Sequence, residues 1–157
     1  MALKLYIAYG AASDQVTALR LQALGAVNGI TVYVPPAHTR TSLAAALDPQ
    51  SEHNLHTAQV VLGVITSTLS EVCRQELNTA KSLGKNIVVM AEPSVATQLE
   101  PFFPGKILAI DAAEPAQAEL GIVQFLKKMD LDQDARTALI ALGTLALGLL
   151  LFAPQEQ

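Results

Sequence analysis

The chain has 157 residues, 51% of them hydrophobic and 15% charged, with a formal net charge of −4. That length suits one domain plus at most an appendage, and an acidic balance without clustered Lys and Arg excludes the electrostatic footprint of a general nucleic-acid binder. A single cysteine, Cys73, excludes an intrachain disulfide framework and fits a reducing compartment.

The N-terminus reads as entering a strand at once, without the charged region, apolar core and cleavage site of a signal peptide. Leu3 to Tyr9 is a short apolar run ending at Gly10, as expected of a first central strand. Ser13 or Asp14 is placed to cap a helix carrying Val16, Leu19, Ala23 and Leu24. Ile30 to Val34 is β-branched and strand-like. Pro35 and Pro36 stop it. The polar, Ala-rich segment that follows has room for short helices at 42–47 and 51–57.

Gln59 to Thr66 is the third strand. It breaks through a Ser/Thr turn into a helix over Glu71 to Leu83, ended by Gly84 in the position glycine favours. Asn86 to Ala91 and Ile107 to Ile110 supply two more strands, and Pro115 to Lys128 a closing helix. Strands alternating with helices imply an α/β, flavodoxin-like fold: a five-stranded parallel sheet with helices on both faces. The ligand of such a sheet lies outside the carboxyl ends of its strands.

Beyond residue 128 the composition changes. Residues 129–136 read as a polar linker with three aspartates. Thr137 to Ala153 then runs uncharged for seventeen residues before a short tail, 154–157. About 17 residues is the lower edge of a membrane-spanning helix. Lys127, Lys128 and Arg136 precede it and nothing basic follows, a bias that keeps the preceding domain on the cytoplasmic side of a single-pass C-terminal anchor. Thr137 with Ala141 and Thr144 with Gly148 also place small residues four apart, suited to close helix packing. A buried or oligomerising helix is therefore the alternative.

The opening segment LYIAYGAASD, the strand AQVVLGVIT, the turn STLS, the helix EVCRQELNTAKSLGK and the strand NIVVMAE resemble Toll/interleukin-1 receptor (TIR) domains. That family shows a Ser-rich turn, then Trp-Cys-x-x-Glu-Leu, then Gly-Lys before an apolar strand. The resemblance covers residues 3 to 128 and is strongest over 58–92. It implies a prokaryotic TIR effector of defence or cell-death signalling that clusters and cleaves NAD between nicotinamide and ribose. NAD is then substrate rather than cofactor, and no metal is implied. Carried over, the catalytic glutamate is Glu76. The resemblance further places Tyr9, Gly10, Ala11 and Asp14 beside the substrate, with Ser70, Val72 and Cys73 at the start of the catalytic helix. Pro35 to Ser42, with Arg40, becomes the loop over the pocket, and Arg40 a candidate partner for a substrate phosphate.

Two positions depart from the pattern. The family's Trp is Val72 and its first-strand serine is Ala8, so a stacking surface is missing. Tyr33, Phe102 or Phe103 of a neighbouring copy are candidates to replace it.

Each residue also has a plainer reading. Glu76 is equally a solvated helix glutamate paired with Lys81, Asp14 a helix cap, Cys73 a small core residue, and His38, His53 and His56 surface residues. Rival functions remain, among them a nucleotide-sensing Rossmann-like domain driving a membrane effector. A nucleoside 2-deoxyribosyltransferase-like enzyme also sets a glutamate before a Gly-Lys strand and breaks an N-glycosidic bond, but its turn carries Asp and Gly. A non-catalytic, membrane-anchored TIR-like interaction module is another.

Overall fold

Among the described residues, apolar runs alternate with helices: β1 (Lys4–Tyr9), α1 (Gln15–Val27), β2 (Thr31–Tyr33), α2 (Pro49–Thr57), β3 (Val60–Ile65), α3 (Glu71–Ser82), β4 (Asn86–Ala91), α4 (Pro93–Leu99) and β5 (Ile107–Ala109). Short 3-10 turns at Ala12–Asp14 and Ala37–Arg40 precede α1 and follow β2. The computed structural model describes residues 3–40, 47–110, 121, 124, 133, 136–137 and 139–144.

The five strands form one all-parallel sheet in the order β2-β1-β3-β4-β5. This is the flavodoxin-like architecture expected from the sequence. Parallel neighbours require crossovers of a dozen or more residues, and the helices serve that purpose. The central strand β3 is buried along its whole length, as parallel strands covered on both faces are.

Helix starts follow local chemistry. Ser70 Oγ accepts from the Cys73 amide at 3.3 Å and opens α3, while Asp48 accepts from the Ser51 amide at 2.9 Å and opens α2 behind Pro49. Gly84, at φ 69°, ends the turn after α3 in the left-handed conformation glycine favours. Helix α4 is an element the sequence reading omitted. Its seven residues are led by Pro93, with Glu92 accepting from the Val95 amide at 3.0 Å. β4 has the expected bounds, the other four strands are trimmed by one or two residues, and the helix expected at 51–57 begins at Pro49.

The core has two halves. Leu5, Ile7, Tyr9, Leu62, Val64, Val88 and Met90 face α1 residues Ala18 and Leu21. Tyr6, Ala8, Val61, Ile65, Val89 and Ala91 face Leu55 of α2, Cys73, Leu77 and Ala80 of α3, and Val95 and Leu99 of α4. Leu139 and Leu142, from the start of the apolar segment, are 1% and 0% exposed and belong to the first half.

The helices expected at 42–47 and 115–128, the linker at 129–136 and the span at 137–153 lie largely outside the described residues. Within them, residues 121, 124, 133, 136–137 and 139–144 are helical. Among the described residues no helix is long and apolar enough to cross a membrane.

Candidate functional site

Helix α3 buries Val72, Cys73, Glu76, Leu77 and Ala80, positions that recur on one face of a 3.6-residue helix. Glu76 therefore points inward, into the half of the core that Tyr6 enters from β1. A carboxylate there must be paired and hydrogen-bonded.

Its partners come from two distant segments. The Tyr6 hydroxyl donates to Glu76 Oε2. Arg40, at the end of the 3-10 turn after β2, binds both carboxylate oxygens, Nη1 to Oε1 at 2.5 Å and Nη2 to Oε2 at 2.8 Å. Both side chains are wholly shielded from solvent. Arg40 Nη1 also donates to the Tyr9 carbonyl at 3.1 Å, and its guanidinium lies 4.3 Å from the centre of the Tyr9 ring. The Tyr9 hydroxyl donates to the Pro35 carbonyl at 2.6 Å, which ties the end of β1 to the chain leaving β2. Arg40 Nε is buried without an acceptor. The Tyr33 ring packs obliquely on Tyr6, with centres 5.4 Å apart, and shares a 3.0 Å hydrogen bond with Ser51 Oγ.

The electrostatics follow from burial and pairing. Burial raises the Glu76 carboxyl above the usual carboxylate range, against the hydrogen bonds and charge of Arg40. Burial also works against the charge on Arg40, but the hydrogen bonds and charge of Glu76 outweigh it and strengthen its hold on the proton. Tyr6 is held neutral by burial and then by the adjacent Glu76, so it serves as a donor. Burial pushes the Cys73 thiol far up. Its Sγ points at the Ala8 carbonyl, 3.6 Å away. An enclosed neutral thiol of this kind is a core residue rather than a nucleophile.

The remaining expected site residues form a second group at the carboxyl ends of β1 and β3. Gly10 donates to the Val64 carbonyl at 3.0 Å, and its own carbonyl accepts from the Ser70 amide at 2.8 Å. A methyl group on Gly10 would come within 2.4 Å of the Thr68 carbonyl oxygen, so only glycine fits. Ala11, half-buried, leads into the turn that carries Asp14. Asp14 is not the side-chain cap it was expected to be. Its carboxylate accepts from Thr66 Oγ1 at 2.5 Å, and burial raises its pKa against that bond.

The structure thus joins Tyr9, Arg40, Cys73 and Glu76 in one cluster, and Gly10, Ala11, Asp14 and Ser70 in an adjoining one. Val72 is buried and fills its place as a core side chain. Glu76 is neither solvated nor paired with Lys81, whose ammonium donates to the Phe102 carbonyl at 2.6 Å. Phe103 is 2% exposed in the core, so its ring is not offered to another copy, while Tyr33 stands beside the site within its own chain. His38, His53 and His56 are exposed, as expected, and no group of three potential metal ligands occurs among the described residues. Tyr6 is the member that sequence reasoning missed. Its only signal was a hydroxyl-bearing ring within a largely apolar strand.

The chain matches no protein-family model, and comparison with curated proteins and with solved structures gives no match.

Proposed function

We propose that the chain is a TIR-type effector that cleaves the N-glycosidic bond of NAD or a related nucleotide, with Glu76 as the catalytic carboxylate and Arg40 as the group that closes the site at rest. The observation that carries this reading is convergence. Segments the family resemblance singled out separately, the end of β1 at Tyr9, the loop with Arg40 and the helix with Glu76, meet at one carboxylate.

The chemistry asks for a carboxylate at the sugar. As the bond from ribose C1′ to the nicotinamide nitrogen breaks, the base leaves with the electron pair and positive charge grows on the ribose. A fixed anion stabilises that charge, as carboxylates do at glycosidase centres. Water then adds at C1′ and gives up a proton. Arg40 engages both oxygens of Glu76, so on this reading a sugar reaches the carboxylate only after Arg40 withdraws. Breaking a buried ion pair costs about 3–5 kcal/mol. The orphaned Nε of Arg40, itself a cost of about 1–3 kcal/mol, makes withdrawal easier. Clustering supplies the rest. Leu139 and Leu142 pack in the domain core, and the residues beyond Thr144 fall short of the about 17 that a membrane span requires. The apolar segment is therefore proposed to contribute, with the domain, to self-association rather than to serve whole as a membrane anchor.

The closed site also favours one alternative. A Glu76 sealed by Arg40 and Tyr6, with Val72 in place of the family's Trp, suits an interaction module that signals by clustering without turnover.

The full chain, reconstituted in lipid at high protein concentration, decides between them by nicotinamide release. Release that falls by about 10²-fold or more in a folded Glu76→Gln variant supports the proposal. Absence of release from the assembled wild-type chain overturns it. Release of free base from deoxynucleosides, but not from NAD, selects the transferase reading.

A further inference from the structure

A second charged place lies at the far end of α3, where the helix, the turn into β4 and the loop from α4 to β5 surround a cavity of about 280 Å³. Its rim carries Lys81, Lys85 and Lys106, and its apolar floor Ile87, Phe103 and Pro104. Among the described residues no carboxylate lines it. The chain as a whole is acidic, with 14 Asp and Glu against 10 Lys and Arg, yet three of those ten converge here.

Two of the three lysines are held in place by backbone acceptors. Lys81 Nζ donates to the Phe102 carbonyl at 2.6 Å and lies 5.4 Å from the Phe103 ring centre. Lys85 Nζ donates to the His56 carbonyl at 2.6 Å. Each ammonium has three N–H groups, so both keep donors to offer. Lys106 follows Gly105, at φ 73°, in an exposed loop. Glu100 accepts from the Gly105 amide at 3.1 Å and does not belong to the cavity lining.

Three like charges gathered without a counter-charge among the described residues favour the arrival of an anion. We propose that this cavity binds the phosphate group of a ligand, its three ammonium groups facing the oxygens and its apolar floor taking a small attached group. A phosphorylated small molecule and an anionic lipid headgroup share that chemistry. The site is independent of the Glu76 reading, since it lies at the opposite end of the helix and shares no residue with it.

The test uses the full chain in neutral detergent, titrated with inorganic phosphate at constant ionic strength. In parallel, co-sedimentation is measured with phosphatidylcholine vesicles with and without phosphatidylserine. The variants are Lys106→Gln, whose ammonium has no partner to lose, and the triple change of Lys81, Lys85 and Lys106 to Gln, with the triple change to Arg as a folding control. Phosphate affinity that falls by about tenfold or more in the triple Gln variant and survives in the Arg control supports a soluble phosphate ligand, the expected scale for removing close charges. Serine-lipid-dependent sedimentation lost in the same way, without binding of free phosphate, supports a headgroup. Binding in both arms that is absent, unchanged in both Gln variants, or matched by chloride overturns the proposal.

Discussion

On one face of the sheet, Leu5, Ile7, Leu62, Val64, Val88 and Met90 meet α1, Leu139 and Leu142 as an apolar layer whose one hydroxyl, on Tyr9, is bonded to Pro35. On the other face the same strands present Tyr6 and Ala8 to α3 and enclose an ion pair, Arg40 with Glu76, fully out of water. The first face is held by transferred area, which tolerates exchange of one aliphatic side chain for another of similar volume. The second is held partly by charges that stabilise only in company. An enclosed pair is often no better for stability than an apolar replacement, yet each member is costly without the other. A largely apolar sheet thus keeps one such pair against its second face.

Single removal of Arg40 or Glu76 is the sharpest way to break that comparison. Arg40→Ala leaves an unpaired buried carboxylate, and denaturant unfolding of the full chain is expected to show a loss of about 3–5 kcal/mol. The combined Arg40→Leu, Glu76→Met variant is expected to recover most of it. If the single and combined losses simply add, the pair is not a unit. Leu142→Ala probes the opposite face. Its expected loss of about 2–5 kcal/mol in the same measurement makes the start of the apolar segment part of the fold, whereas an unchanged midpoint would separate it from the domain.

Ser70→Ala removes the bond to the Cys73 amide that opens α3, and about 1 kcal/mol is expected from the same unfolding curves. The smallest effect concerns pH. Partial burial of Asp48 is outweighed by hydrogen bonds from Ser51, which hold its carboxyl below the ordinary range. Its contribution is therefore present above the unfolded carboxyl pKa and lost as pH falls through the lower folded value. Asp48→Asn should flatten the acid limb of stability against pH and leave neutral pH nearly unchanged, as thermal scans from pH 7 to pH 3 can read.

The strands and their alternation with helices were legible because aliphatic runs and glycine stops act locally. Gly84 marked the end of α3, and the Ser/Thr turn marked its start. Helix α4 was passed over although Glu92 and Pro93 carry an N-terminal signature, because seven residues leave too few turns for a periodic pattern. Within the site, Glu76 and Arg40 were both singled out, but not as partners. Their contact closes over 36 residues and that of Tyr6 with Glu76 over 70, and no local pattern encodes such pairings. Tyr6 was hidden for a further reason: in an apolar strand its ring reads as core, and its hydroxyl gains meaning only from what α3 brings opposite.

Leu139 and Leu142 carry one more consequence. Residues sunk in the sheet's core leave no free leash between the domain and whatever follows Thr144. Any pull on the rest of the chain, from a bilayer or from a neighbouring copy, is transmitted straight to the strands of the apolar face. The two leucines thereby couple the apolar segment to the sheet.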